Sequence, residues 1–93
     1  METPDDWPFE DPPNVAVITT QAVLDGAWIS LATLDEEDGD WQFHTQGTPD
    51  EANARVVALR RIYELDPSIA ELADLPPGGR AWRDSADAPW QRA

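Results

Sequence analysis

The chain has 93 residues, a formal net charge of −13 and no cysteine, and these numbers exclude several classes of protein. A chain of this length forms one small domain that buries about 60–65% of its unfolded surface, which leaves little room for an internal active-site cavity. Without cysteine, neither disulfides nor thiolate zinc sites can stabilise the fold. No apolar stretch approaches the ~20 residues that span a bilayer, and no signal peptide is recognisable. The composition therefore predicts a soluble, cytoplasmic protein.

The acidic residues are unevenly distributed along the chain. The first 54 residues contain thirteen acids and no Lys or Arg, whereas the remaining 39 residues balance six acids with six arginines. A field this one-sided attracts basic surfaces and repels nucleic acid and anionic lipid. The charge predicts a protein partner with a basic surface, and neither a nucleic acid nor a membrane. It leaves the oligomeric state open.

Residues 1–13 are predicted to form an acidic, proline-rich tail ahead of a single domain over residues 14–93. The tail contains five acids and four prolines, a composition that disfavours both helix and sheet. Trp7 and Phe9 are unusual there, because an apolar ring gains nothing in a free tail. Two interpretations remain open: the rings dock onto the domain, or they form a short partner-binding peptide.

The first predicted elements are a strand and a helical turn. Residues 14–20 are rich in β-branched side chains, which is typical of a buried strand. Thr20 can then cap a short helical turn that ends at Asp25-Gly26, since glycine tolerates the left-handed conformation.

Residues 27–34 and 41–45 predict two further strands that pair as an antiparallel hairpin. Alternation in the earlier strand places Ile29 and Leu31 on one face and Trp28, Ala32 and Leu34 on the other. In the later strand, Trp41 and Phe43 share one face, and Gln42 and His44 share the other. The Asp38-Gly39 pair between the strands is a strong turn signal, because glycine takes the positive φ that such turns require.

Residues 48–65 leave two alternatives open. Residues 48–51 have the N-cap, the proline and the capping-box glutamate of a helix start, and one helix could run from there to residue 65. Alternatively, a short helical turn precedes a strand over residues 55–58 that contains the β-branched Val56-Val57 pair, and a helix begins at Leu59.

The last part of the chain contains a further helix start and an irregular tail. Asp66 is predicted to cap a helix with Pro67 at its first position, and residues 75–79 end that helix. One face of this helix would carry Ile69, Leu72 and Ala73. The tail combines arginine and tryptophan, namely Arg80, Trp82, Arg83 and Trp90, without a recognisable element.

No arrangement in the sequence indicates catalysis. His44 is the only histidine, and without cysteine or a second histidine it forms no recognisable zinc arrangement. No serine has the nucleophile-elbow context of a catalytic triad. The acidic run lacks the spacing of a calcium loop, and no glycine-rich phosphate loop is present. We therefore predict that the protein is not an enzyme and has no catalytic, cofactor-binding or metal-binding residue.

The residues predicted to contact a partner are acidic and aromatic. The acidic group lies in the predicted hairpin, where its charges give a strong local field. The aromatic group lies in the tail, and interfaces concentrate binding energy in such residues. The full set is Asp35, Glu36, Glu37, Asp38, Asp40, Trp82 and Trp90.

The order of these segments resembles a known family. A valine-rich strand, a turn ending at Asp25-Gly26 and the hairpin sequence Asp-Gly-Asp-Trp-Gln-Phe (residues 38–43) precede the Leu-Asp-Pro-Ser sequence of residues 65–68 and the Leu-Pro-Pro-Gly sequence of residues 75–78. Over about residues 14 to 80 this order resembles a small, long uncharacterised family of acidic bacterial domains grouped with the immunity proteins of polymorphic toxin systems.

The resemblance implies an α+β fold and a binding function. Together with the elements above, it predicts a single domain with an antiparallel sheet of about four strands, packed by two or three short helices. For the ambiguous segment, the resemblance implies that residues 55–58 form a strand and that a helix begins at Leu59. It also implies a non-catalytic protein that neutralises a toxin by binding it. The alternatives are an accessory or regulatory protein–protein interaction domain and a small metal-dependent hydrolase.

Overall fold

A computed structural model describes residues 7–45 and 53–92 of the protein. The strands of this part are β1 (Ala16–Thr20), β2 (Leu31–Leu34), β3 (Trp41–His44), β4 (Ala54–Ala58), β5 (Arg80–Trp82) and β6 (Gln91–Arg92). Its helices are α1 (Gln21–Leu24), α2 (Leu59–Leu65) and a 3₁₀ helix (Pro67–Leu72). The predicted α+β class is confirmed. In this part of the chain, no helix has the length and apolar character needed to cross a bilayer.

The strands form one mixed sheet in the order β4-β1-β3-β2-β5-β6. The predicted antiparallel sheet of about four strands is therefore wrong in two respects. The sheet has six described strands, and β1 and β3 pair in parallel, with Ile18 opposite Gln42. β5 and β6 were missed because, at three and two residues, they are too short to show a periodic pattern.

The β2–β3 hairpin follows the prediction. The two strands are antiparallel, with Leu34 opposite Trp41, and Trp41 and Phe43 are buried on one face. Gly39 has a φ of 69°, the positive value expected at the turn. However, strand pairing starts only at Leu31, so the prediction that residues 27–30 belong to β2 is wrong.

The alternation of faces breaks before β2 begins. Ala32 and Leu34 face the core side, and Leu31 points to the opposite side. Ile29 is nevertheless buried in the core, so it does not share a face with Leu31 as predicted. At this break the carbonyl of Ile29 accepts a hydrogen bond from Nε of the distant Arg83 at 2.8 Å.

The first strand and helical turn are confirmed, and the ambiguity after residue 53 is resolved. The hydroxyl of Thr20 accepts the backbone N–H of Val23, as expected of an N-cap. In the second half, β4 is followed directly by α2, which is the strand-then-helix alternative. The predicted helix start at residues 48–51 lies outside the described residues.

Asp66 begins a helix as predicted, but the helix is 3₁₀ in type. Its carboxylate accepts the backbone N–H of Ser68 at 3.0 Å, and Pro67 occupies the first turn. Ile69 and Leu72, three residues apart, are both fully buried, which suits the three-residue turn of a 3₁₀ helix.

The core lies on one face of the sheet, here called the inner face. The strands contribute Val17, Ala32, Trp41, Phe43 and Ala81, and the helices contribute Val23, Leu59, Ile62, Ile69 and Leu72. Phe9 belongs to the same core, and Trp7 packs against it. The Nε1 of Trp7 donates to the carbonyl of Asp11 at 2.7 Å, and its ring meets Tyr63 edge-on. Of the two interpretations of Trp7 and Phe9, the structure shows the docked one.

Candidate protein-binding site

The loop that joins β2 to β3 is the most strongly charged exposed segment among the described residues. We call residues 35–40 the acidic tip; all six are exposed. The tip is closed by two backbone hydrogen bonds, from Asp35 to the carbonyl of Asp40 (2.9 Å) and from Gly39 to the carbonyl of Asp35 (3.1 Å). The hairpin thus presents five carboxylates on a short, defined loop.

Asp35 organises the acidic tip. Its Oδ1 accepts the backbone N–H groups of Asp38 and Glu37, both at 2.8 Å. These two hydrogen bonds hold the pKa of Asp35 below its ordinary value, because they stabilise the charged form. The tip therefore keeps this carboxylate ionised to more acidic pH than an unstructured aspartate would.

The charge of the acidic tip is not neutralised by other described residues. The ion pairs within residues 7–45 and 53–92 are Arg83–Asp66 and Arg92–Asp74, and neither involves the tip. The carboxylates of the tip also do not converge: the described residues contain no group of three or more His, Asp or Glu side chains that could hold a metal ion. The arrangement suits contact with a cationic surface.

Trp82 lies on the face of the sheet that is turned away from the core, here called the outer face. It pairs with Leu31 of β2 and is half-buried, but it is not part of the core. Arg80, two residues earlier on the same face, places its guanidinium 5.8 Å from the Trp82 ring centroid. The Trp82 ring and the Arg80 guanidinium therefore lie side by side on an accessible surface.

Trp90 has different surroundings. It packs against the core, and its Nε1 donates to the hydroxyl of Ser68 at 3.2 Å. The guanidinium of Arg83 lies 4.4 Å from the ring centroid. The structure thus does not bring the two predicted contact tryptophans together: Trp90 anchors the C-terminal segment, whereas Trp82 faces outward.

A cavity of about 250 Å³ adjoins this anchor. Its walls include Val23, Trp28 and Leu65, with Asp66 and Arg83 at the polar side. Arg83 donates to the carbonyls of Ile29 and Ala86, to Ser68 and to Asp66. Because protein acceptors already engage all three nitrogens of the guanidinium, its evident role is structural.

His44 lies on the outer face beside Gln42. Its Nε2 is 3.1 Å from Oε1 of Gln42, while its Nδ1 is buried and has no partner among the described residues. Desolvation lowers the pKa of His44 below the ordinary value of 6.5, since burial disfavours the charged imidazolium. The side chain is consequently neutral at pH 7.

The sequence did not identify the outer face as a surface of its own. Ile18, Leu31 and Val56 carry no motif, and their common position depends on the pairing of distant strands. The sequence does show apolar residues on both faces of β2. It does not show which of these two faces the helices cover.

Comparison of the chain with family models, with curated proteins and with solved structures found no match. The resemblance to immunity proteins therefore stays a hypothesis, and the case for a function depends on the geometry and charge described above.

Proposed function

We propose that this protein is a non-catalytic binding protein, an immunity-type inhibitor that neutralises a partner toxin with a basic face. The observation that carries the proposal is the acidic tip. Five carboxylates are exposed on one closed loop, and the described residues supply no ion-pair partner for them. Such a group contributes little to folding stability but much to the long-range field.

The acidic tip would speed association with the toxin and would occupy the basic active site of the toxin. Electrostatic steering raises association rates by roughly 10–10³-fold and weakens as salt screens the charges. A basic groove that binds phosphates would accept carboxylates in the same positions. A nuclease-type toxin is therefore the partner class that fits the charge best.

The test compares two variants with equal charge change. The first replaces Glu36, Glu37 and Asp38 with their neutral amides and keeps Gly39, so that the turn is unchanged. The control replaces three exposed acids outside the acidic tip: Glu64→Gln, Asp84→Asn and Asp87→Asn. Each variant raises the net charge from −13 by three. Both are assayed against the protein that the wild-type chain captures from its source organism at low salt.

We expect the tip variant to associate about tenfold more slowly at low ionic strength and to show a flatter salt dependence, with a smaller effect on dissociation. The control should stay close to wild type. Equal effects of the two variants, or a captured partner that is acidic or neutral, would contradict the proposal and favour an accessory interaction domain. An activity that is lost on chelation would favour the hydrolase alternative.

A further inference from the structure

The strand register defines which residues share the outer face. In the row nearest the acidic tip, Val56, Ile18, Gln42, Thr33 and Arg80 follow one another across β4, β1, β3, β2 and β5. In the next row, His44, Leu31 and Trp82 are neighbours across β3, β2 and β5. Paired residues point to the same side of a sheet, so these two rows form one continuous surface.

Four large apolar side chains of this surface lie outside the core. They are Ile18, Leu31, Val56 and Trp82. Val56 is 70% exposed, the largest exposure of any large hydrophobic residue in the described part of the chain. A sheet face that meets water normally carries polar residues, so large apolar side chains on such a face indicate an interaction surface.

The described helices pack on the other side of the sheet. α1, α2 and the 3₁₀ helix all contribute their buried residues to the core on the inner face. The apolar residues of the outer face are therefore not explained by the packing of any described helix. Gln42 and His44 of β3 lie between Val56 and Ile18 on one side and Leu31 and Trp82 on the other, so the surface combines two apolar patches with a polar centre.

The charge around this surface selects the kind of partner. The acidic tip begins one residue beyond Leu34, at the end of the sheet where Thr33 and Arg80 lie. Thr33 is thus within about 7 Å of the tip along the strand. A second copy of the chain would bring together two proteins with a net charge of −13 each, which disfavours self-association. A basic protein gains from the same field.

We propose that the outer face is the docking surface for a basic protein, with an apolar patch of the partner on Ile18, Leu31, Val56 and Trp82 and its Lys or Arg side chains at the acidic tip. This inference rests on the proposed function for the sign of the partner's charge. Trp82 with Arg80 beside it has the composition of a binding hot spot, since tryptophan and arginine are enriched there. The apolar contacts control dissociation, and the acidic tip controls association.

The first experiment places a photo-crosslinking benzoylphenylalanine in the full chain, at Val56 or Trp82 on the outer face. Leu65 is the control position, because it is also a large exposed hydrophobic residue, at 37%, but belongs to α2. Irradiation in a lysate of the source organism at low salt should give an adduct from Val56 and Trp82 and not from Leu65. The adduct should contain a basic protein, and its yield should fall when NaCl is added.

The second experiment measures the association and dissociation rates of that basic protein, once purified, with the Val56→Ser, Trp82→Ser and Leu65→Ser variants. The folding of each variant is checked by its melting temperature. We expect at least tenfold faster dissociation for the two outer-face variants with little change in association, and no effect of Leu65→Ser.

The outcomes separate the two proposals. A basic partner that crosslinks through Leu65, or whose dissociation is unchanged by Val56→Ser and Trp82→Ser, overturns the docking surface and leaves the proposed function standing. An acidic or neutral partner on the outer face overturns the proposed function and the partner class. An adduct of two copies of this chain, or no adduct from either outer-face position, also overturns the docking surface.

Discussion

Arg83 and Asp66 form a partly buried ion pair in which Nη2 lies 2.5 Å from Oδ2. Arg83 directly follows β5, and Asp66 caps the 3₁₀ helix, so the pair joins the end of the sheet to the helical side of the fold. The Arg83 side chain is only 3% exposed, and that of Asp66 is 21% exposed. Removal of one partner would leave the other charge without compensation in a poorly solvated site.

Asp66→Asn should destabilise the protein by about 3 kcal/mol, at the low end of the range for a broken buried pair. The amide keeps an oxygen that can cap the 3₁₀ helix, so the loss of stability measures the effect of removing the charge. A change of this size lowers the melting temperature by more than about 10 °C in a domain of this length. Asp74→Asn, which breaks the exposed pair with Arg92, is the control and should change the melting temperature little. Similar shifts for the two variants would show that the Arg83–Asp66 pair has no special role.

The two strand tryptophans should respond differently to truncation. Trp41 is 3% exposed, stacks on Phe43 at 5.7 Å, and donates from Nε1 to Asp11 at 3.0 Å. Trp41→Ala should therefore cost about 3–5 kcal/mol, a large share of the total stability of so small a domain. Trp82→Ala should cost much less, because Trp82 lies outside the core. Chemical denaturation of both variants measures the difference, and equal costs would show that the assignment of the two faces is wrong.

The local elements of the fold were readable from the sequence. Thr20 and Asp66 cap short helices because their side-chain oxygens accept nearby backbone N–H groups, and both signals depend on residues within three positions. The Asp38-Gly39 turn is local in the same sense. The residues of β4 alone allow two predictions, because Val56-Val57 suits a strand and helical spacing also fits the segment.

The long-range features were not readable. The parallel pairing of Ile18 with Gln42 joins positions 24 residues apart, and no local pattern specifies it. β5 forms because the segment before it is fastened to β2: Gly78 donates to the carbonyl of Leu34 at 2.8 Å, and Gly78 adopts a φ of 82° that suits glycine. Within the candidate site, the sequence predicted the acidic tip as one loop. It did not predict the separation of Trp82 from Trp90, because that separation depends on the pairing of β5 with β2.

His44 should make the stability of the domain depend on pH between neutrality and moderately acidic values. Its pKa is lowered in the folded state by burial, so below its ordinary value of 6.5 the unfolded chain binds more protons than the folded one. The free energy of unfolding should consequently fall as pH decreases through 6.5 and the lowered pKa, and it should be independent of this group well above 6.5. His44→Gln removes the only histidine, and its melting temperature should be flat over this interval. A variant that keeps the wild-type pH dependence would assign the effect to another group.

Added salt should stabilise the protein at pH 7. The thirteen excess negative charges repel one another in the compact state, and ionic strength shortens the range of this repulsion to about 8 Å at 0.15 M. The melting temperature should rise as NaCl increases from about 0.02 to 0.5 M, and the rise should be smaller for the variant with neutral amides at Glu36, Glu37 and Asp38. The Glu64→Gln, Asp84→Asn, Asp87→Asn variant is the matched control, because it removes the same charge from the half of the chain where arginines balance the acids. If NaCl instead lowers the melting temperature of the wild-type chain, attraction between exposed arginines and carboxylates, as in the Arg92–Asp74 pair, outweighs the repulsion among the acids.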